Sequence, residues 1–266
     1  MNNRIGVVSC HLASIEPLND TFARLSALGI QEIEWFWCTD FATRYGADVF
    51  QRIRELHKRY AMHASYHAPW TDQWDLGLAP APQAHQMLMA SIHMAEQLGA
   101  ADITIHMGTC APAGHSAVSR TGVLHHVSEV LLNTAHEATA RKMRLCVENV
   151  PRSYSPLALG TDSSDFARFF AHVPSHSVGL NLDTGHGHIM GELYDYIHHH
   201  SARLMHVHMH DNDGKTDAHL PPGEGSIDWG RFLSALRIAC YTGPIVLEFP
   251  EASGKYPDVI RLIRDA

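Results

Sequence analysis

Basic side chains are scarce in this sequence. Its 266 residues hold 20 Lys and Arg against 28 Asp and Glu, a formal charge of −8, so there is no general basic footprint for nucleic acid. Cysteine is equally thin: Cys10, Cys38, Cys110, Cys146 and Cys240 are scattered with no CxxC pair, which reads as reduced thiols in a cytoplasmic protein. Long apolar runs are missing too. The opening MNNRIGVVSC reads as neither a signal peptide nor a membrane span. No Pro/Gly/Ser-rich tract divides the chain, so residues 1–266 are expected to form a single domain. What stands in excess is histidine, at 22 residues, the commonest metal ligand among side chains.

Short apolar runs alternate with longer segments of helical periodicity. The strand candidates are Arg4–Cys10, Ile30–Trp37, Ala61–His67, Asp102–Met107, Met143–Asn149, Val178–Asp183, Leu204–His210 and Pro244–Phe249. Helical patterns occupy Pro17–Leu28, Ala47–Arg59, Pro82–Leu98, Ala117–Arg141, Asp162–Ala171, Glu192–His199 and Trp229–Ala239, with a terminal turn near Pro257–Arg264. This alternation predicts a parallel sheet in an α/β protein, and about eight units fit a single (β/α)8 TIM barrel better than an open sheet. Gly29, Gly99 and Gly243 stand where helices hand over to strands and read as helix C-caps. The pair Gly185 and Gly187 lacks the third glycine of a dinucleotide loop and is given little weight as one.

In such a barrel the chemistry collects at the C-terminal strand ends. Every strand from the third to the eighth closes on a ligand-type residue: His67, His106, Glu148, Asp183, His208 with His210, and Glu248. Any one of these alone reads as a hydrogen-bonded core residue; their convergence points to a metal site. The densest stretch, Leu204–Asp228, holds four histidines, four aspartates and one glutamate. Residues two apart on a strand face one way, so an inward His208 carries His206 and His210 inward in other layers. His206 is then expected to be a packed core histidine and His210 to lie at the rim. His186, three residues after Asp183, and the pair Asp217 and His219 extend the set, with helix capping or solvated loops as the plainer reading.

These pieces resemble the xylose isomerase-like barrel superfamily, which includes sugar isomerases and epimerases and also endonuclease IV. The matching elements run in order as His67-Ala-Pro, His106-Met-Gly, Glu148-Asn, Asp183-Thr-Gly-His186, His208-Met-His-Asp-Asn, Asp217-Ala-His219 followed by Pro-Pro-Gly-Glu-Gly, and Glu248. The resemblance implies one of two sites. In the epimerase-like version one divalent ion (Mn, Co, Mg or Zn) is held by Glu148, Asp183, His208 and Glu248. In the endonuclease IV-like version those residues are joined by His67, His106, His186, Asp217 and His219 and hold up to three zinc ions.

The favoured expectation is a divalent-metal-dependent sugar or sugar phosphate isomerase or epimerase. Glu148 and Glu248 would be its two proton-transferring residues, working through an enediolate. The alternative is a zinc phosphodiesterase, for which the aromatic residues Trp35, Phe36, Trp37, Trp70 and Trp74 would be duplex wedges. For Trp35 and Trp37 the plain expectation is packing over the barrel mouth. A metal-dependent binding barrel with no catalysis ranks last. His210, Trp70, Lys215 and Glu34 are further candidates for contact with substrate; a salt bridge explains Glu34 as well, and a solvated loop explains Lys215. The expected partner is a small sugar or sugar phosphate, with no membrane and with a homo-oligomer left open.

Overall fold

The structure is a computed structural model that describes residues 1–36, 38–70, 74–111, 119–174 and 176–266. Its strands are β1 (Ile5–Val8), β2 (Glu32–Phe36), β3 (His63–His67), β4 (Asp102–Ile105), β5 (Arg144–Glu148), β6 (Val178–Asp183), β7 (Leu204–Met209) and β8 (Ile245–Leu247). Each pairs in parallel with the next, and Ile5, Gly6 and Val7 of β1 pair with Ile245, Val246 and Leu247 of β8, so the sheet closes on itself. Each strand turns apolar residues outward to the helices, which accounts for the apolar positions recurring in every strand candidate.

Helices fill the crossovers. In chain order they are α1 (Leu18–Ala27), α2 (Phe41–Tyr45), α3 (Val49–Arg59), α4 (Ala81–Leu98), α5 (Arg120–Ala140), α6 (Ser163–His172), α7 (Thr184–Met190), α8 (Leu193–His200), α9 (Trp229–Ile238) and α10 (Tyr256–Asp265). Several of their starts carry side-chain caps: Ser119 accepts from the amide of Gly122, Asp162 from that of Asp165, and Asp228 from that of Arg231. The pattern expected from Ala117 begins within residues 112–118, outside the described residues, and the helix is seen from Arg120. The expected terminal turn is a full helix, α10. The helices α2 and α7 carried no periodicity long enough to predict.

Two expectations need correction. Gly99 ends α4 in the left-handed region, at φ 73°, as expected of a C-cap. Gly243 does not take a positive φ; after α9 it is Cys240 that does, at φ 53°. Gly243 is small for a different reason, since a Cβ there would lie 2.6 Å from the carbonyl oxygen of Met205. Trp35, in turn, does not cover the mouth. It is fully buried on the outer face of β2, edge-on to Phe41, and its indole N–H donates to His57 Nε2 at 2.9 Å. Trp37 lies outside the described residues.

The core between sheet and helices is apolar, with Phe22, Ile53, Ile92, Leu131, Phe166 and Phe232 all buried. The inside of the barrel is not. Glu34, Ser65, Thr104, Asn181, His206 and His208 are polar and inaccessible to solvent, and they form the floor beneath the C-terminal strand ends.

Candidate metal centre

The floor determines how the site is built. Alternation along β7 aims His206 and His208 inward, and the register of β6 against β7 sets Asp183 beside His208. His208 Nε2 points down to Glu34 Oε1 at 2.9 Å, so its Nδ1 points up. There it meets Glu248 Oε2 at 2.9 Å, Glu148 Oε1 at 3.6 Å and Asp183 Oδ2 at 4.0 Å. Three carboxylates from three strand ends therefore surround one ring nitrogen.

Glu148 is shared with a second group. Its Oε2 lies 3.1 Å from Nε2 of both His67 and His106, while Oε1 is 3.4 Å from His186 Nδ1. Asp183 caps α7, accepting from the amide of His186 at 2.7 Å, and its carboxylate also lies 3.0 Å from His210 Nε2. The outer edge comes from the segment after β7. Asp217 Oδ2 is 3.2 Å from His219 Nε2 and 3.4 Å from His186 Nε2, and it accepts from the Tyr154 hydroxyl at 2.6 Å. His219 is fixed in turn by the carbonyl of Glu248, 2.7 Å from its Nδ1. The whole expected ligand set is thus brought together.

The supporting candidates fare differently. His210 is not at the rim: it is fully buried, held against Asp183, with its ring stacked on His219 at 4.0 Å between centroids. That packing explains the small residue at Gly185, where a Cβ would come within 2.0 Å of the His210 ring. Glu34 faces the barrel interior but lies under His208, sealed from solvent, which excludes it as a substrate contact in this arrangement. His206 is core, as expected, with Nε2 2.9 Å from Glu34 Oε2. Trp70 is 42% exposed at the mouth and stacks on His106 and Tyr154. With Trp74 and Tyr154 it lines a cavity of about 370 Å³ that shares His106 with the ligand set. Lys215 is exposed on a turn organised by Asp213.

Sequence reading passed over Tyr154, His11 and Asp211. Tyr154 also lies 2.9 Å from His186 Nε2. His11, after β1, packs its ring against His219 at a tilt and clusters with Glu248. Asp211 directly follows His210 at the end of β7 and is buried. Only the local run HMHDND hinted at Asp211; nothing in the sequence marked Tyr154.

Ionisation follows from this crowding. Burial pushes the Glu148 carboxyl up, but His106 and His208 outweigh it and hold the group well below the ordinary carboxylate range. Glu248 behaves likewise, with His208 as its chief opposing influence. Burial disfavours the charged form of His219, yet its bond to Asp217 raises it to about 9.

The residues fit a cation. Despite complete burial, His208 Nδ1, His210 Nδ1, Asp217 Oδ1 and Glu248 Oε2 have no hydrogen bond of acceptable geometry. Compact groups of candidate ligands, with donor atoms within 4.8 Å of one another, include His67–His106–Glu148, Asp183–His186–His210 and His210–Asp217–His219. The donor mixture of imidazole and carboxylate suits Zn, Mn or Co.

A family model described as xylose isomerase-like TIM barrel matches residues 22–266. The chain belongs to this family. An uncharacterized protein of Methanocaldococcus jannaschii is 26% identical over 206 residues, covering 74% of this chain and 67% of that one. Among solved structures, a D-tagatose 3-epimerase-like protein superposes with a TM-score of 0.82 at 20% identity, covering 98% of this chain and 97% of the other. An AP endonuclease, family 2, from Brucella melitensis does so with a TM-score of 0.76 at 17% identity, covering 95% and 96%. At such identities the likeness is one of fold.

Proposed function

We propose that this xylose isomerase-like barrel is a divalent-metal-dependent isomerase or epimerase of a small sugar or sugar phosphate. The observation that carries the reading is the placement of Glu148 and Glu248 around one ring nitrogen of His208, beside a cavity large enough for a monosaccharide. A divalent ion held by Glu148, Asp183, His208 and Glu248 would supply a Lewis acid for the substrate carbonyl and its neighbouring hydroxyl.

The chain's own residues supply the proton chemistry. One of Glu148 and Glu248 removes the proton from the carbon next to the carbonyl, and the other returns it, on the opposite face for epimerisation. Histidines hold both groups ionised at rest despite burial, the state the base needs, and the group that returns the proton must first take one up from solvent. His67 and His106 fix one oxygen of Glu148, leaving the other directed at the centre. His186 and Tyr154, at the edge of the site, are placed to meet substrate oxygens, and Trp70 forms a wall on which a sugar ring can stack.

Incubation of metal-replete protein with a sugar panel in D2O tests this. Deuterium should enter the substrate at the carbon adjacent to the carbonyl during turnover. Hydrolysis of a phosphodiester with no such exchange would overturn the assignment.

A second reading is favoured by one observation: the residues that would bind three zinc ions are all present and gathered. In it the protein is an endonuclease IV-like phosphodiesterase, with Glu148 orienting a hydroxide nucleophile. Elemental analysis of protein purified without chelators separates the two, at about one ion per chain for the epimerase and three zincs for the phosphodiesterase.

A further inference from the structure

We infer that Glu34 is the positioning residue of the metal centre: from beneath the barrel floor it sets the orientation and tautomer of His208 so that Nδ1 is offered as the ligand atom. The inference rests on the metal reading above and adds to it a residue that touches neither substrate nor ion.

The geometry is specific. Glu34 is the middle residue of β2, and alternation along that strand turns it into the barrel while its neighbours Ile33 and Trp35 join the outer core. It is fully buried, and burying a carboxylate is costly unless its oxygens are engaged. Here both are. Oε1 lies 2.9 Å from His208 Nε2, and Oε2 accepts from the Thr104 hydroxyl at 3.4 Å and stands 2.9 Å from His206 Nε2. An ionised carboxylate can only accept, so His208 must carry its proton on Nε2. In the neutral ring the lone pair then sits on Nδ1, the nitrogen that faces Glu148, Asp183 and Glu248.

Asn181 agrees with this assignment. Its side-chain amide lies 3.1 Å from the same Nε2, while its buried Oδ1 has no partner. Turning the amide over brings that oxygen to Nε2–H as a second acceptor and puts the amide nitrogen in its former place. His206 has a role in the same scheme. Its Nε2 stands 2.9 Å from the second carboxylate oxygen, an ion-pair distance without hydrogen-bond geometry, and so bounds Glu34 on the side away from His208. Carboxylate–histidine pairs of this kind orient metal-bound imidazoles and strengthen them as ligands.

Replacement by glutamine tests the pair. Gln removes the carboxylate charge and keeps one acceptor oxygen where Glu34 accepts with both, from His208 and Thr104, so the hold on the His208 ring is weakened. Glu34→Gln should bind Zn²⁺ about 10–100-fold more weakly in chelator competition, while its circular dichroism spectrum matches the wild type. Glu34→Asp keeps the charge on a shorter stem and should fall between the two. A purely structural role predicts a lower melting temperature for the metal-free variant with unchanged Zn²⁺ affinity, and that result would overturn the inference.

An arm without any variant guards against misfolding. In wild-type protein labelled with ¹⁵N-histidine and loaded with Zn²⁺, NMR should show His208 bound through Nδ1 with its proton on Nε2. Binding through Nε2 would overturn the proposal. If the wild type fails to take up Zn²⁺, the metal reading falls and this inference with it. If only the Glu34→Gln affinity is unchanged, the metal reading stands without the positioning role.

Discussion

Glu148 and Glu248 approach the same nitrogen of His208 yet have different surroundings. The first is clamped by His67 and His106, whereas the second reaches His208 directly and lends its backbone carbonyl to His219. Glu148→Gln and Glu248→Gln should each lower turnover by about 10²–10⁴-fold, the usual range for losing a general acid or base, with the barrel still folded by circular dichroism. Near-normal turnover in either would refute the two-base scheme. A separate prediction concerns His57, away from the site. Its Nδ1 lies 3.2 Å from the Met62 carbonyl and its Nε2 accepts from Trp35, so the ring is satisfied only when neutral, and burial lowers it from 6.5 to about 4. The unfolded chain then binds the extra proton first. Stability from this group is whole above pH 6.5 and is lost as pH falls toward 4, by an amount on the order of 3 kcal/mol. Urea titrations at several pH values should show a smaller loss over that window in His57→Gln.

At the scale of elements, the segment between β7 and α9 shows how a loop becomes a wall of the site. Asp211 is buried and accepts from the amides of Asn212, Gly223 and Ile227 and from the indole of Trp229. That carboxylate ties both ends of the loop to the barrel and so holds Asp217 and His219 over the centre. The Pro-Pro-Gly-Glu-Gly run is part of this clasp, since a Cβ at Gly225 would stand 2.3 Å from both Asp211 Oδ1 and the Asn212 carbonyl. Asp211→Ala should leave the strands intact but raise hydrogen exchange at the Gly223 and Ile227 amides and lower turnover by at least tenfold. Unchanged exchange would show that the loop holds itself. The helix α7 is the matching case on β6: Asp183 both caps it and aims at His208, so one side chain starts an element and serves the site.

For the molecule as a whole, the centre is a concentration of buried charge that a cation would balance. Stripping the metal with a chelator should lower the melting temperature by about 5–10 °C relative to protein with ion at a hundred times its dissociation constant, and restoring the ion should reverse the loss. No change in scanning calorimetry would argue that the clustered ligands are held by protein contacts alone. Among the described residues no helix is long and apolar enough to cross a membrane.

The sequence by itself determined the barrel and which residues close its strands. Burial of the outer sheet face against helices writes apolar residues into each strand, and the closing residue of a strand is placed at the mouth by chain geometry alone. His67, Glu148, Asp183 and Glu248 could therefore be read without a structure. Short elements stayed hidden, because the one-turn α2 and the glycine-rich α7 lack a repeat of apolar positions. What only the tertiary structure decided is how strands far apart in sequence address one another. It put His210 behind Asp183 instead of at the rim, brought Tyr154 to Asp217, and slid Glu34 under His208. Each of these contacts depends on barrel closure and stagger, and no local pattern in the chain encodes the distance between β2 and β7.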